Sequence, residues 1–189
     1  MVDIDIVVKA TTETKDLNAM DSITEPVSPH PPLDYVIPNA EEHGALLKAM
    51  RKACGWDTAK VPTWFIQQEE GTRIMAIFYL PGTNTAVGMG GVEFLDFDHG
   101  DKDVADKETK RGCVVSLFLY KKFRGQGYLG RILDVCEELG RKSGLETLTL
   151  YGLSKAAGYE KFGYKTFKVE KRNYGGDQNL DTRFLQKSI

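Results

Sequence analysis

The chain has no run of 18 or more apolar residues, so no segment of it is long enough to cross a membrane as a helix. It has no surplus of positive charge either: 25 Lys and Arg stand against 27 Asp and Glu, a formal net charge of -2. Nucleic-acid binding ordinarily rests on a basic footprint, so no nucleic-acid partner is expected. Cysteine is scarce. Cys54, Cys113 and Cys136 are odd in number and show no metal-ligand spacing. They read as three reduced thiols among apolar neighbours, with no metal. The opening Met1-Val2-Asp3-Ile4-Asp5 lacks the basic start and apolar stretch of a secretory signal. These absences together lead to the expectation of a cytoplasmic protein, with the nucleus as the other open compartment.

What is present suits one globular domain. With 189 residues, 41% hydrophobic and 28% charged, the chain can bury a full core and still carry an extension. Residues 2–9 alternate apolar and polar, the period of an edge strand. Four of the seven prolines fall between Pro26 and Pro32, which marks residues 10–32 as a linker. The expected division is therefore an extension over 1–32 and a domain over 33–189.

Within that domain the period predicts a short strand at Asp34–Ile37. A helix follows, capped by Asn39 with Glu42, with Leu46, Met50 and Ala53 on its inner face and Gly55 as its stop. A second helical or irregular segment covers Trp56–Gln68. Strands are predicted at Arg73–Leu80, Thr85–Asp96 and Cys113–Tyr120, the last apolar enough to be buried on both faces. Gly88, Gly90 and Gly91 mark a bulge or a close backbone approach in the second. Residues 97–111 read as a solvated, charged loop. A helix beginning near Tyr128 places Leu129, Ile132, Leu133, Cys136 and Leu139 on one side and ends at Gly144. A strand at Leu145–Tyr151, a short helix over 153–162 and strands at Tyr164–Val169 and Thr182–Gln186 complete an α/β mixed sheet with helices on its faces.

The chemistry centres on Arg124-Gly125-Gln126-Gly127-Tyr128-Leu129-Gly130, between a strand and a helix. Three glycines in six residues allow a tight turn that presents N–H groups at a helix N-terminus, where free amides and the dipole attract an anion such as a pyrophosphate. It is not a Walker A loop, which needs Gly-Lys-Ser/Thr where Gly130-Arg131-Ile132 stands. Nor is it a dinucleotide fingerprint, which needs an early βαβ unit with an acid after the next strand. On its own such a turn is as often a mere connection.

A second element, Tyr159-Glu160-Lys161-Phe162-Gly163-Tyr164, changes that balance. The two segments together resemble the GNAT superfamily of acyl-CoA-dependent N-acyltransferases, whose signature is a Q/R-x-x-G-x-G/A loop followed, one strand later, by a tyrosine in a Y-E-K-x-G-F-like box. Arg124 and Gly127 match the loop, Tyr159 the tyrosine, and Gly163-Tyr164 the Gly-Phe. There are two departures. Leu129 stands where glycine or alanine is usual, with Gly130 one residue late, and Gly152 replaces a frequent asparagine seven residues before the tyrosine.

The resemblance implies a GNAT-like fold, with a six- to seven-stranded sheet flanked by about four helices. It implies acetyl-CoA as cofactor, with CoA as product. Backbone groups of Leu117, Phe118 and Leu119 would pair with the pantetheine arm, and Arg124, Gly125, Gln126, Gly127, Tyr128, Leu129 and Gly130 would hold the pyrophosphate. Tyr159 would stand beside the thioester sulfur as general acid. Many family members carry a glutamate on the strand before the loop. Here that strand has none, and Glu93 or Asp96 on the preceding strand is the nearest substitute for the base, on opposite faces of that strand. A base acting through water is the alternative.

His30, His43 and His99 are all expected to be exposed, and Trp56, Trp64 and Phe65 either line the acceptor pocket or pack in the core. The expected reaction is acetyl transfer to a primary amine of a small molecule. Transfer to a protein lysine or N-terminus and a non-catalytic acyl-CoA-binding module are the alternatives. Homodimerisation through a sheet edge or the C-terminal strands stays open.

Overall fold

The computed structural model describes residues 28–152, 156–173 and 179–189. The strand expected over residues 2–9 and most of the expected linker lie outside the described residues. Seven strands form one mixed sheet: β1 (Asp34–Val36), β2 (Arg73–Tyr79), β3 (Ala86–Glu93), β4 (Arg111–Leu119), β5 (Thr147–Gly152), β6 (Lys165–Asn173) and β7 (Asn179–Ser188), in the order β1-β2-β3-β4-β5-β7-β6. All neighbours run antiparallel except β4 and β5. That one parallel pair needs a crossover, which α3 (Tyr128–Lys142) supplies.

Period-2 alternation divides β2 and β3 between two cores. Ala76, Phe78, Val87 and Val92 face α3 with Ile132, Leu133, Val135 and Cys136. Met75, Ile77 and Met89 face α1 (Ala40–Ala53) and α2 (Val61–Glu69) with Leu47, Met50, Val61 and Trp64. Each large side chain so buried contributes ~1.5–3 kcal/mol, and Ile132→Ala would cost ~2–5 kcal/mol by leaving a cavity against the sheet.

Asn39 caps α1 by accepting from the Glu42 N–H at 2.8 Å, while its amide donates to the Glu42 carboxylate at 2.9 Å. Pro62 sits in the first turn of α2, where a missing N–H costs nothing. Two expectations need correction. The inner face of α1 is Leu47, Met50 and Arg51 rather than Leu46, Met50 and Ala53, because Ala53 is exposed. The described part of the expected fourth helix, Ala156–Phe162, is a 3-10 turn, leaving three α-helices among the described residues.

The glycines of β3 are explained by crowding. A Cβ at Gly88 would collide with the Phe118 carbonyl, and one at Gly90 would lie 3.0 Å from Ile132 and 3.1 Å from Leu117. Beside Gly90 the register slips: Met89 pairs with Phe118 but Gly91 with Val115, so Ser116 and Leu117 together oppose one residue. This is a β-bulge, and Ser116 absorbs it with φ of 54°. β4 meets β5 only from Arg111↔Thr147 to Cys113↔Thr149. Beyond Cys113 the two parallel strands part, and a cleft opens between them.

Candidate active site

The mouth of the cleft is built by the glycine turn. Gly125 and Gly127 adopt φ of 79° and 87°, which side chains resist, and they aim the chain into α3. Gly127 is the N-cap of α3, and no side chain caps the helix. The Gly130 N–H donates to the Gly127 carbonyl at 3.1 Å, while the Tyr128 and Leu129 amides ahead of it have no carbonyl earlier in the helix to reach, next to the positive dipole end. Arg124 to Gly127 are exposed. Arg124 is tied down by its Nε donating to the Leu119 carbonyl at 3.0 Å, and Gln126 donates to the Lys122 carbonyl at 2.8 Å. A cavity of about 380 Å³ opens here. Leu117, Phe118 and Leu119 form one wall, Arg124, Gly125, Gly127, Tyr128 and Leu129 another, and Tyr159 and Phe162 a third.

Behind it a larger cavity, about 620 Å³, reaches under α1 and α2. Its floor is Val114, Val115, Ser116 and Leu117 of β4, with Leu150 and Tyr151 of β5. Its far wall is Trp56, Trp64 and Phe97, and its charged groups are Arg51, Lys60, Arg73, Glu93 and Asp98. Leu117 and Tyr159 belong to both cavities, which makes them the threshold. Tyr159 is half-buried, and burial pushes its hydroxyl above the ordinary tyrosine value, so it keeps its proton at neutral pH. The arrangement joins a glycine turn at an uncapped helix start, an opened strand edge, a protonated phenol and a chamber behind them.

The sequence matches the Acetyltransferase (GNAT) family over residues 39–164, more than half of the chain. The protein belongs to the GNAT acetyltransferase family. A comparison with curated protein sequences finds no match. Among solved structures the fold is similar to a putative acetyltransferase from Acinetobacter baylyi, with a TM-score of 0.66 at 10% identity over 83% of this chain and 93% of that one. It is also similar to a putative acetyltransferase from Salmonella typhimurium solved with its cofactor acetyl-CoA, at 0.62, 11%, 84% and 94%. A third is a ribosomal-protein-alanine N-acetyltransferase from Brucella melitensis, at 0.61, 15%, 82% and 99%. At such identities the likeness is one of fold, and the reaction class, N-acetyl transfer, comes with the family.

In this GNAT enzyme the structure brings together the glycine turn, Leu117–Leu119, Tyr159 and Glu93. Gln126 and Gly130 lie on the turn without lining its cavity. Glu93 is buried, and its carboxylate is paired with the Arg73 guanidinium. Asp96 lies outside both cavities. It accepts from the backbone N–H groups of Asp98, His99 and Asp101 at 3.2, 3.3 and 3.1 Å and so shapes its loop. Trp56 and Trp64 line the chamber, while Phe65 packs with the α1–α2 core.

None of the three histidines lines either cavity. His30 is half-buried, contrary to expectation, with its ring edge-on to Phe162 at 5.7 Å. His43 is also half-buried, accepting at Nδ1 from the Asn39 N–H at 3.3 Å. All three cysteines are free, and burial pushes Cys113 and Cys136 up to about 12 and Cys54 up to about 11, so none is a ready nucleophile. Among the described residues no helix is long and apolar enough to cross a membrane.

Sequence reasoning missed Arg51, Arg73, Ser116, Phe97 and Tyr151 in the chamber. Arg51 carried a signal, since it lies at i+4 from Leu47. Ser116 and Phe97 enter the chamber through the bulge of β4 and the loop after β3, and Arg73 and Tyr151 through the β2–β3 pairing and the parting of β5 from β4.

Proposed function

We propose that this enzyme transfers the acetyl group of acetyl-CoA to the primary amine of a small molecule, with Tyr159 as general acid. The observation that carries the reading is the position of Tyr159 at the one threshold between the two cavities. The cofactor would supply an activated acyl thioester whose sulfur departs as a thiolate. The residues present fit it. The amides of Gly125 to Leu129 and the charge of Arg124 suit a pyrophosphate, and the start of α3 carries no side-chain cap in its way. The backbone of Leu117, Phe118 and Leu119, on the side where β4 leaves β5, can pair with an extended arm as an added strand would.

Tyr159 holds its proton well above neutral pH and can pass it from Oη to the departing sulfur. The acceptor must arrive as a neutral amine, and its proton leaves through water. Both chamber carboxylates, Glu93 and Asp98, are already paired with cations. Burial alone would raise the Asp98 carboxyl, but the Lys60 ammonium at 3.0 Å outweighs it and holds the group low. A chamber of this size fits a small ligand. A protein N-terminus, the acceptor class in the name of the Brucella enzyme, is the second reading.

The test is Tyr159→Phe, assayed by thiol release and by calorimetric titration with acetyl-CoA, CoA and ATP. Turnover should fall ~10²-fold or more, with binding of acetyl-CoA and CoA retained and ATP not bound. A general acid must be protonated, so wild-type activity should fall only as pH rises past ~10, the ordinary tyrosine value. Unchanged turnover in the variant would remove Tyr159 from that role, and failure to bind acetyl-CoA would remove the cofactor assignment.

A further inference from the structure

The charged groups of the chamber do not cancel. Three are cationic, Arg51, Lys60 and Arg73, and two are anionic, Glu93 and Asp98. Lys60 is paired with Asp98 at 3.0 Å and Arg73 with Glu93. The remaining charge is that of Arg51. Its side chain is confined: the residue is 8% exposed, on the inner face of α1, with its guanidinium 4.7 Å from the centre of the Trp64 ring and 5.6 Å from that of Trp56. Its Nε donates to the Asp57 carbonyl. The Asp57 carboxylate itself accepts from the Ala59 N–H at 2.9 Å and caps the short turn there. Among the described residues no carboxylate lies within ion-pair distance of Arg51, and its two terminal nitrogens make no hydrogen bond.

A guanidinium held between two indoles, anchored at Nε and open at both terminal nitrogens, has the geometry that grips a planar oxyanion with two parallel N–H···O bonds. Leaving a buried cation uncompensated is costly, and a ligand that supplies the counter-charge recovers that cost on binding. We propose that the acceptor is an amino acid, an amine carrying a carboxylate, and that Arg51 is the residue that receives the carboxylate. This inference rests on the N-acetyltransferase reading above and narrows its substrate class. Arg73, stacked on the same Trp64 ring at 5.1 Å, is committed to Glu93 and cannot take the same part.

The experiment measures kcat/KM by thiol release for two matched series. One series is the amino acids from glycine to 6-aminohexanoate, with L-methionine and L-phenylalanine. The other is the amine each would give on losing its carboxylate. At least one amino acid should exceed its amine by about 10- to 100-fold, the usual weight of a hydrogen-bonded charge contact, chiefly through KM. In Arg51→Met that ratio should collapse towards one. Arg51→Lys, which keeps the charge without the fork, should recover only part of it. Calorimetric binding of acetyl-CoA to each variant reports whether the domain is intact.

Turnover of amines with no preference for the carboxylate, or a preference that survives Arg51→Met, overturns the inference. So does the absence of turnover in both series. In that case retained acetyl-CoA binding with acetylation of a peptide N-terminus would leave the family's reaction standing, while loss of acetyl-CoA binding would bring down the parent reading as well.

Discussion

Arg73 and Glu93 stand directly opposite each other on β2 and β3, and both are almost fully buried at the chamber wall. Burial lowers Arg73 to about 10, with the nearby Arg51 charge acting in the same direction and Asp98 opposing. Its guanidinium also takes a second partner, Nε donating to the Gln67 side-chain oxygen at 2.7 Å. Removing one member of such a pair strands the other charge in a poor solvent. Glu93→Gln is therefore expected to destabilise the fold by ~3–5 kcal/mol, measured by urea unfolding. The surviving folded enzyme should keep the wild-type pH–rate profile, because a carboxylate held by a guanidinium accepts a proton poorly. A profile displaced by the substitution would instead restore Glu93 as the base. The sequence could name Glu93 only as an acid near the right strand. Its partner lies 20 positions away and becomes visible only once the β2–β3 register is known.

The glycine turn and α3 show how far local pattern reaches at the scale of an element. Arg124, Gly127 and Tyr159 were legible because phosphate turns and helix starts are written in contiguous residues. The glycine at 130, one position later than the family pattern, was not, because its cause is remote. Residues 28–32 cross the first turns of α3. Ser28 donates to the Asp134 carboxylate at 2.6 Å, Pro31 lies 3.0 Å from where a Cβ of Gly127 would be, and the His30 ring occupies the space a Cβ of Gly130 would need. Pro29, Pro31 and Pro32, read from sequence as the end of a linker, here lie in a docked strap. Gly130→Ala should force the His30 ring off the helix and cost ~1–3 kcal/mol as an overpacking change. In the double variant with His30→Ala, which reopens that space, most of the loss should be recovered. A double-mutant cycle on thermal unfolding measures this, and additive losses would show that the strap does not rest on Gly130.

Across the whole molecule the sheet's far strand is bound back to the loop that follows β3, and the link is ionic. Arg172 on β6 pairs with Asp101 and, at 3.6 Å, with Asp96, while Lys168 reaches Asp101 at 2.8 Å and Glu170 at 3.0 Å. The Arg172 guanidinium also lies 4.3 Å from the Phe184 ring centre on β7. The stretch read from sequence as a solvated face thus turns Asp96, Asp101 and Asp106 inward to serve the fold, while Asp98, Asp103 and Glu108 stay exposed.

This link sets the behaviour in acid. Burial acts to raise the Asp101 carboxyl, but the Lys168 hydrogen bond, a backbone amide and the Lys168 and Arg172 charges outweigh it, so the group sits below its ordinary value. A carboxyl depressed on folding contributes stability above its unfolded value, ~3.9, and loses it as pH falls through the lower folded value. Wild-type melting temperature should therefore drop steeply below pH ~4. Asp101→Asn should be less stable at pH 7 by only ~1 kcal/mol, because Lys168 keeps Glu170 and Arg172 keeps Asp96 and Glu170 as partners, yet should show a shallower fall in acid, so that the two curves converge. The chamber stands on the same loop through Phe97 and Asp98. The variant's KM for the acceptor should accordingly rise at neutral pH while its affinity for acetyl-CoA, whose proposed seat is the other end of the cleft, stays at the wild-type value. Parallel melting curves across the acid range would show that Asp101 carries no such linkage.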